Sequence, residues 1–320
     1  MSAGVKNQRE KTMKIGILTT TGDKEENHRL IAAAHERGYK AQLLHHLKCS
    51  LSVCEDAPEV TYEGKPISKE FDIIIPRIDA PHAEYGLTVL RQFEAIHTFT
   101  SETTQSIQIA RDKLRCSQHL LKHHVPFPST GFAYSKADFD NIIDTVGGAP
   151  LIIKLIEGTE GVGVFLAEDT KHAINLLKTF KQLSTPLIVQ KFIKESGGKD
   201  IRVFVCGGRV VTAIQRQSQD GDFRANLAQG GASKVIKLTK QEEEVAINAT
   251  RAIGINVAGV DLIRSNTGPL IIEINSALDF CGKWNLEDVA GIDVAGEIID
   301  RAVMEKKNIT DTFLTEKQAA

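Results

Sequence analysis

Two strand-forming segments near the C-terminus, joined by a short turn, constrain this chain more than any other feature. Residues 260–264 and 269–275 are mostly apolar, but they carry Asp261, Glu273 and Asn275. Folded into a hairpin, the segments place Asp261 opposite Glu273, with about 5 Å between them across the strands. Asn275 shares the face of Glu273 because alternate residues of a strand point the same way. The sequence therefore predicts a hairpin with oxygen-bearing side chains grouped together.

The spacing of these side chains favours a metal site. Two carboxylates at this distance repel each other unless a cation lies between them. Carboxylate and amide oxygens are hard ligands, which suit Mg²⁺ better than Zn²⁺. The alternative is a solvated hairpin face without a ligand. Against it, we predict that Leu270, Ile272 and Ile274 fill the opposite face, so that the sheet is well buried.

The composition narrows the class of protein. A chain of 320 residues with 42% hydrophobic residues can bury a full core and has room for more than one. Its formal net charge of −2 argues against direct nucleic-acid binding, because such proteins are usually clearly basic. The 5 cysteines form no C-x-x-C pair, so we expect neither a disulfide framework nor a zinc site. A reduced, cytoplasmic protein is expected.

Neither a membrane anchor nor a signal peptide is predicted. No apolar run approaches the ~18 residues that a membrane helix needs. Residues 1–12 are polar and lack an apolar core, so we interpret them as a flexible extension.

The first third of the chain alternates strands and helices, which predicts a small parallel α/β domain over residues 13–106. The loop at 19–23 lacks the G-x-G-x-x-G pattern, so a dinucleotide-binding fold is not favoured. The predicted elements are strands 14–18, 42–44 and 71–76 and helices 27–37 and 86–98.

The remainder is richer in strands and predicts an α+β body behind the α/β lead domain. We divide it into a central unit, 107–190, a C-terminal unit, 191–306, and a polar tail, 307–320. The predicted helices are 109–123, 171–183, 241–253 and 293–305, and the predicted strands before the hairpin are 151–156, 164–166, 187–190, 201–206 and 210–216.

A lysine and a glycine-rich turn indicate phosphate binding in the central unit. Lys154 lies within an apolar strand, where an ammonium group requires an anionic partner. Gly158, Gly161 and Gly163 follow, and such spacing lets backbone N–H groups approach phosphate oxygens. The alternatives are an edge-strand lysine that reaches water and an ordinary hairpin loop.

Arginines in the C-terminal unit strengthen this interpretation. Arg202, Arg216 and Arg224 lie on or beside strands that could share a sheet with the hairpin. In that case the cations and the metal site converge, and phosphate beside a carboxylate-held Mg²⁺ is the natural ligand. Each arginine taken alone could equally be a surface residue or the partner of a carboxylate.

An ordered series of motifs carries a specific resemblance. The chain contains G-G-A-P-L-I-I-K-L-x-E-G-T-x-G-x-G-V, V-Q-x-F-I, D-I-R, G-D-F-R-x-N, A-G-V-D and E-I-N, preceded by I-P-R-I, L-R-Q-F-E and A-R-D-K-L-R. The series, from residue 13 to 301, resembles the ATP-grasp superfamily and, within it, the RimK family of α-L-glutamate ligases. That family adds glutamate to the C-terminus of a small-subunit ribosomal protein.

The resemblance implies roles for individual residues. Arg202 and Arg224 correspond to catalytic residues facing the phosphoryl and acyl groups, and Asp261, Glu273 and Asn275 to metal ligands. A weaker correspondence places Arg77, Asn226 and Ser276 at the substrate. The implied ATP-binding residues are Lys113, Lys154, Gly158, Gly161, Gly163, Gln190, Lys191, Phe192, Ile193, Asp200, Arg224 and Asn226.

The resemblance also implies the reaction and its partners. ATP would be a co-substrate, with Mg²⁺ or Mn²⁺, in two ions, as the cofactor. A substrate carboxylate would attack the γ-phosphate to form an acylphosphate, which an amine then attacks. L-glutamate is the expected amino acid, and the acceptor would be a peptide, a ribosomal protein or a small molecule. A homo-oligomer, a tetramer by resemblance, is expected.

The chain departs from the family near the substrate side. The family continues E-x-N with A-S-P-G, whereas residues 276–284 here lack Pro-Gly and carry Phe280 and Trp284. Lys191 stands where glutamate is common, and Asp79 replaces a glycine after I-P-R-I. We therefore expect intact metal ligands beside a reshaped substrate pocket.

Two alternative functions remain open. One is a small-molecule carboxylate–amine ligase of the glutathione-synthetase or coenzyme-glutamylating type, which the altered segment 276–284 leaves open. The other is an ATP-binding regulatory module without ligase turnover. Release of ADP on addition of an amino acid and an acceptor would separate an enzyme from such a module.

Overall fold

The computed structural model describes residues 12–20, 22–79, 82–158, 162–218 and 232–319, with side chains up to residue 312. Residues 1–11 of the predicted extension lie outside the described residues. The described chain forms an N-terminal α/β part followed by two mixed parts, each built on an antiparallel sheet. This confirms the predicted fold class.

The N-terminal part is a parallel sheet with helices packed against it. The sheet has the order β2-β1-β6-β7, and β1 and β6 are almost entirely buried because helices and other strands cover both faces. A small antiparallel sheet, β3-β4-β5, follows β2. In chain order the elements are β1 (Lys14–Thr19), α1 (Glu25–Glu36), β2 (Lys40–His45), β3 (Cys49–Ser52), β4 (Glu59–Tyr62), β5 (Lys65–Pro66), β6 (Ile73–Arg77), α2 (Ala83–Ala95) and β7 (Phe99–Thr100).

The middle part is an antiparallel sheet of order β10-β9-β11-β8, with α5 and α6 packed on one face around a separate apolar cluster. Its elements are α3 (Thr104–Arg111), α4 (Lys113–Lys122), β8 (Thr130–Gly131), α5 (Phe139–Thr145), β9 (Leu151–Leu155), β10 (Val164–Ala167), α6 (Thr170–Gln182) and β11 (Leu187–Lys191).

The C-terminal part is built on an antiparallel sheet of order β14-β13-β12-β15-β16. Thr239 and Glu242 form a capping box that fixes the start of α7. The elements are β12 (Lys199–Cys206), β13 (Arg209–Gln217), β14 (Ala232–Val235), α7 (Lys240–Ile253), β15 (Val257–Ser265), β16 (Gly268–Asn275), α8 (Leu286–Ala290) and α9 (Val294–Ala319).

The predicted single helix over 109–123 is wrong. Two helices, α3 and α4, replace it. Asp112 interrupts the helical backbone between them, with an extended conformation of φ −88° and ψ 103°. The side chain of Asp112 accepts a hydrogen bond from the backbone N–H of Arg115, as an N-cap residue does. The backbone N–H of Lys113 donates to the carbonyl oxygen of Ile156 at 3.1 Å. An uninterrupted helix would lose both interactions.

The hairpin forms, but its predicted apolar face is wrong. Asp261 pairs with Glu273 as expected, yet the register shifts between Asp261 and Leu262. Because a bulge places one extra residue on β16, the alternation of faces changes there. Ile271 and Ile274 are therefore the buried residues, whereas Ile272 is only half-buried.

The closing helix is longer than predicted. We expected it to end at Glu305, before a polar tail, but α9 continues to Ala319. Its side chains hydrogen-bond along the helix here, for example from Thr310 and Thr312 to carbonyl oxygens one turn earlier.

None of the helices in the described ranges combines the length and apolar character needed to span a bilayer. The cysteines are all free thiols, as expected.

Strand β12 joins two apolar cores. Val203 and Val205 lie in a core that includes residues of α4 and α7, whereas Phe204 and Cys206 lie in a core shared with β1, α1 and α9. This division follows from the alternation of side chains along a strand. The C-terminal sheet is therefore covered on one face by α4 and α7 and on the other by α9 and the N-terminal part.

We predict that Phe204→Ala destabilises the whole protein. Phe204 is 0% exposed, so the substitution removes a large side chain from the core shared by the two parts. The free energy of unfolding should fall by about 3–5 kcal/mol, measured by urea denaturation. Tyr134→Ala, at a side chain that is 76% exposed, is the matched control and should change it by less than about 1 kcal/mol. Equal effects of the two substitutions would contradict this account of the core.

Candidate active site

The hairpin of β15 and β16 brings the predicted metal ligands together. Asp261 lies opposite Glu273, and Asn275 lies opposite Gly259. The Nδ2 group of Asn275 donates to Oδ2 of Asp261 at 3.3 Å. Asp261 is 3% exposed, whereas the side chain of Glu273 is 33% exposed. Asp261 is therefore not part of a solvated face, whereas Glu273 is in partial contact with solvent.

Asp261 is held by two arginines from the neighbouring strands. Arg202 lies directly opposite it on β12 and donates from Nε and Nη2 at 2.8 Å each. Nη2 of Arg216, on β13, lies 2.9 Å from Oδ2 of Asp261. Arg216 also donates to both oxygens of Asp200 at 2.7 and 2.6 Å. Two buried carboxylates and two guanidinium groups thus form a continuous, charge-balanced network.

This network sets the charge of Asp261. Burial by itself would raise the pKa of the carboxyl group, but Arg202 and Arg216 outweigh burial and lower the pKa to about 2. The same carboxylates raise the pKa of Arg216 despite its own burial. Asp261 therefore remains a carboxylate in a site that excludes water.

Lys154 lies inside the middle sheet and not at its edge. Strand β9 pairs with β10 on one side and β11 on the other, so the alternative of an edge-strand lysine is wrong. Its Nζ donates to Oε1 of Gln190 at 2.7 Å, and Nε2 of Gln190 donates to Oγ1 of Thr130 at 3.0 Å. Burial lowers the pKa of Lys154 to about 8, although Glu273 opposes the shift.

Lys113, at the first position of α4, links the sides of a cleft. Its Nζ lies 3.2 Å from Oε1 of Glu273 and donates to the carbonyl oxygen of Gly158 at 2.9 Å. The cleft is small and lies between the middle sheet, α4 and β16. Its lining residues are Ala110, Lys113, Cys116, Ser117, Leu120, Lys154, Ile188, Gln190, Ile271, Ile272, Glu273 and Ile274. Lys113 and Lys154 therefore lie near one carboxylate, that of Glu273, in a cleft lined by both polar and apolar side chains.

The glycine-rich turn is described only in part. Gly158 is the acceptor of the Lys113 hydrogen bond, and Gly163 adopts φ +75° with its Cα against Leu155. A Cβ at position 163 would lie 2.2 Å from Cδ1 of Leu155, so the close approach requires glycine. Gly161 lies outside the described residues, as do Arg224 and Asn226.

The remaining predicted positions differ in their surroundings. At the end of β11, Gln190 and Ile193 are buried, Phe192 is half-buried and Lys191 is exposed. The carboxylate of Asp200 accepts a hydrogen bond from Arg216, and Asp200 is not among the residues that line the cleft. Ser276 follows the metal-ligand strand and is half-buried, whereas Arg77 ends β6 in the N-terminal part and is 4% exposed.

Sequence reasoning missed the role of Arg216 as a partner of Asp261 and of Thr130 as a partner of Gln190. The sequence contains a signal for the first, because Gly207-Gly208 predicts a tight turn between β12 and β13. The turn alone would place Asp200 opposite Gln215, and the register shift between Phe204 and Val205 places it opposite Arg216 instead. Nothing in the sequence near Thr130 indicates its contact with β11.

The oxygen atoms at the hairpin fit a hard divalent cation. Glu273 lines the cleft and is partly exposed, and Asn275 is half-buried on the same strand. Both oxygens of Asp261 accept hydrogen bonds from arginines, so the carboxylate of Glu273 is the one more open to a cation. In the described part of the chain, no cluster of three or more His, Cys, Asp or Glu side chains is arranged around a common metal position.

Two family models cover almost all of this architecture. The RimK PreATP-grasp domain matches residues 13–107, and the RimK-like ATP-grasp domain matches residues 110–302. A protein named probable alpha-L-glutamate ligase from Coxiella burnetii is 45% identical over 288 residues, which is 90% of this chain and 94% of that protein. Probable alpha-L-glutamate ligase 1 from Hahella chejuensis is 45% identical over 303 residues, or 94% and 99% of the two chains.

Solved structures share the same fold at lower sequence identity. A RimK domain ATP-grasp protein from Sphaerobacter thermophilus superposes with a TM-score of 0.69 at 20% identity and covers 90% of this chain and 99% of that one. The ATP-grasp ligase PsnB, in complex with a precursor variant, Mg and ADP, has a TM-score of 0.68 at 16% identity, with 93% and 99% covered. The chain therefore belongs to the RimK-like ATP-grasp family of ATP-dependent carboxylate–amine ligases.

Proposed function

We propose that this protein uses ATP to attach L-glutamate to a carboxylate of an acceptor peptide or protein, through an acylphosphate. The observation that carries the proposal is the cleft in which Lys154 and Lys113 face Glu273. Two cations on one side suit the phosphates of a nucleotide, and a carboxylate with Asn275 on the other suits its metal ion. The choice of L-glutamate rests on the names of the relatives.

Several of the described residues in and around the cleft have a proposed role toward ATP. Lys154 and Lys113 would contact phosphate oxygens, with Gln190 holding Lys154 in place. Backbone groups of residues 190–193 and the turn of Gly158 and Gly163 would enclose the base and the phosphates. Asp200 would act indirectly, because its carboxylate is committed to Arg216. The nucleotide would thus lie between the units 107–190 and 191–306.

The hairpin would hold the divalent cation. Glu273 and Asn275 would be its ligands, joined by Asp261, and a bound cation would neutralise charge on the phosphates. In this structure Lys113 pairs with Glu273, and Arg202 pairs with Asp261. These two cations would turn toward the phosphates once the carboxylates gain another partner.

The proposed reaction has two steps. An acceptor carboxylate oxygen attacks the γ-phosphorus, the bond to the β-phosphate oxygen breaks, and ADP leaves. The amine of L-glutamate then attacks the acyl carbon, loses a proton and expels phosphate. Arg202, released from Asp261, would stabilise the oxyanion that forms. Arg224 and Asn226, which lie outside the described residues, stay predictions on the acyl side.

The identity of the product tests this function. The protein is incubated with Mg-ATP, single amino acids and either peptides or small carboxylates, and ADP and product masses are measured. We expect ADP release that requires L-glutamate and an acceptor, and an acceptor mass that increases by a glutamyl residue. Binding of ATP without ADP release in every combination would instead indicate the regulatory module.

A small-molecule ligase is the second candidate, and one observation favours it. Phe280, in the segment that departs from the family, is 0% exposed and packs with the N-terminal part. A segment closed in this way leaves less room for a long peptide. Exclusive modification of small carboxylates in the same mass-spectrometric assay would select this candidate.

We predict that Glu273→Gln removes most Mg-dependent turnover. The amide has one weaker oxygen ligand, and even outer hydrogen-bond partners of a metal ligand are worth 10–100-fold, so the loss should be at least about 100-fold. The measurement is the rate of ADP release, together with stabilisation by Mg-ATP in thermal unfolding. Glu195→Gln is the control, because Glu195 accepts only the backbone N–H of Asn266 at the outer end of the same hairpin. Full activity of Glu273→Gln would contradict the metal assignment.

We predict that ATP affinity falls as the pH rises through about 8. The pKa of Lys154 is lowered to about 8 in the ATP-free protein, so the ammonium form is present below this pH and is lost above it. ATP binds the charged form better, and the Kd should rise by up to about tenfold per pH unit above 8. Lys154→Arg, which stays charged, should bind ATP with little change between pH 7 and 9.5. Identical pH profiles for both proteins would exclude this role for Lys154.

A further inference from the structure

Arg77 is buried without a partner at the carboxyl edge of the N-terminal sheet. It ends β6 and is 4% exposed. Its Nε atom is buried and has no hydrogen-bond partner, and no carboxylate of the described residues pairs with the guanidinium group. The contact that the structure does show is with Phe280, whose ring centre lies 5.7 Å from Cζ of Arg77. A buried guanidinium group without an anion is unfavourable, so this position calls for one.

Other unpartnered polar atoms lie along the same edge. Thr19, at the end of β1, pairs with both His45 and Arg77, so the ends of β1, β2 and β6 are adjacent. The buried atoms Oγ1 of Thr20, Nδ1 of His45 and both ring nitrogens of His46 have no hydrogen-bond partner. Burial, with other histidines nearby, lowers the pKa of His46 to about 4, so its neutral ring offers one N–H donor.

The position of this edge is typical of a ligand site. In open α/β sheets, ligands bind outside the carboxyl ends of the parallel strands. Here a cation and several hydrogen-bonding groups converge at those ends. The combination selects an anion, and a carboxylate matches the two-pronged donor geometry of a guanidinium group.

The edge is fastened to the end of the metal-ligand strand. Nζ of Lys24 lies 3.1 Å from Asp79 and 3.1 Å from Asp279, so it joins the N-terminal part to the segment after β16. The backbone N–H of Cys281 donates to Oε1 of Glu26 at 3.3 Å, which adds a second link. Four residues lie between Asn275 and Phe280, and the five peptide steps limit the distance between their Cα atoms to about 18 Å. The ring that contacts Arg77 is therefore tied to the end of β16, the strand that carries Glu273 and Asn275.

We propose that Arg77 binds a carboxylate of one of the two substrates other than ATP, under the cover of Phe280. The inference rests on the proposed ligase function and names the charge that this part of the site selects. The carboxylate comes either from L-glutamate or from the acceptor. Asp79 and Asp279 lie at positions where the chain departs from its family, and both form ion pairs with Lys24. These ion pairs hold the segment that contains Phe280 against the N-terminal part.

The test compares Arg77→Met and Arg77→Lys with the wild-type protein in steady-state ADP release. The KM for L-glutamate, for a short acceptor peptide with a free C-terminal carboxylate and for ATP is measured in turn. Arg77→Met should raise the KM for L-glutamate or for the peptide by about 10- to 100-fold, the range for loss of a hydrogen bond between charged groups. The KM for ATP should stay within about twofold, and Arg77→Lys should recover part of the loss because it restores the charge.

Arg29→Met is the matched control. Arg29 joins the same two parts of the protein, but through ion pairs with Glu287 and Asp293 on a partly exposed surface. Its KM values should remain within about twofold of the wild type. A purely structural Arg77 would behave differently: Arg77→Met would lower the melting temperature and leave every KM unchanged. Our account expects a melting temperature that does not fall, because an unpaired buried charge is removed.

Two results would overturn the inference. One is an active Arg77→Met variant with unchanged KM for both L-glutamate and the peptide, and the other is a variant in which only the KM for ATP rises. If the wild-type protein releases no ADP, the ligase proposal fails by itself. Binding then decides the inference: in the presence of Mg-ADP, L-glutamate or the peptide should raise the melting temperature of the wild-type protein and not that of Arg77→Met. Equal shifts, or none, would refute it.

Discussion

The rest of the site depends on the charge network around Asp261. A carboxylate that is 3% exposed is tolerable only because Arg202 and Arg216 donate to it, and Arg216 is balanced in turn by Asp200. These four side chains cross three adjacent strands, β13, β12 and β15. Their pairing lets the sheet be covered on both faces while Glu273, on the adjacent strand β16, lines the cleft.

The network also explains how one part of the chain can serve both folding and chemistry. Arg202 and Lys113 are paired with carboxylates that a cation would otherwise engage. A nucleotide and its cation would exchange these partners without leaving any charge alone. In this structure each of these two cations is therefore balanced by a carboxylate.

Much of this could be predicted from the sequence. The pairing of Asp261 with Glu273 across the hairpin follows from two apolar segments joined by a short turn. The ordered motifs identify the family. The bulge on β16, the helix break at Asp112 and the covering of β9 on both sides could not be predicted, because each depends on contacts with residues far away in the chain. Lys113 is an example: its backbone is held by Ile156, which lies 43 residues later.

The partners of charged residues were the least predictable. Arg202 was expected to face a reacting group, and Asp261 a metal ion, yet in the ATP-free protein they bind each other. Conversely, Arg77 lies buried with no anion in the described residues, and only the three-dimensional arrangement shows this. Sequence motifs identify which side chains belong to a site, but they do not show which residues those side chains pair with in the folded protein.

The transfer of oxygen from substrate to phosphate tests the central claim most directly. The acceptor is labelled with ¹⁸O in its carboxylate and incubated with Mg-ATP, L-glutamate and the protein, and the released phosphate is examined by mass spectrometry. An acylphosphate intermediate requires that each phosphate carries one ¹⁸O atom from the acceptor. Phosphate without ¹⁸O, released in step with product, would contradict activation of the carboxylate by ATP.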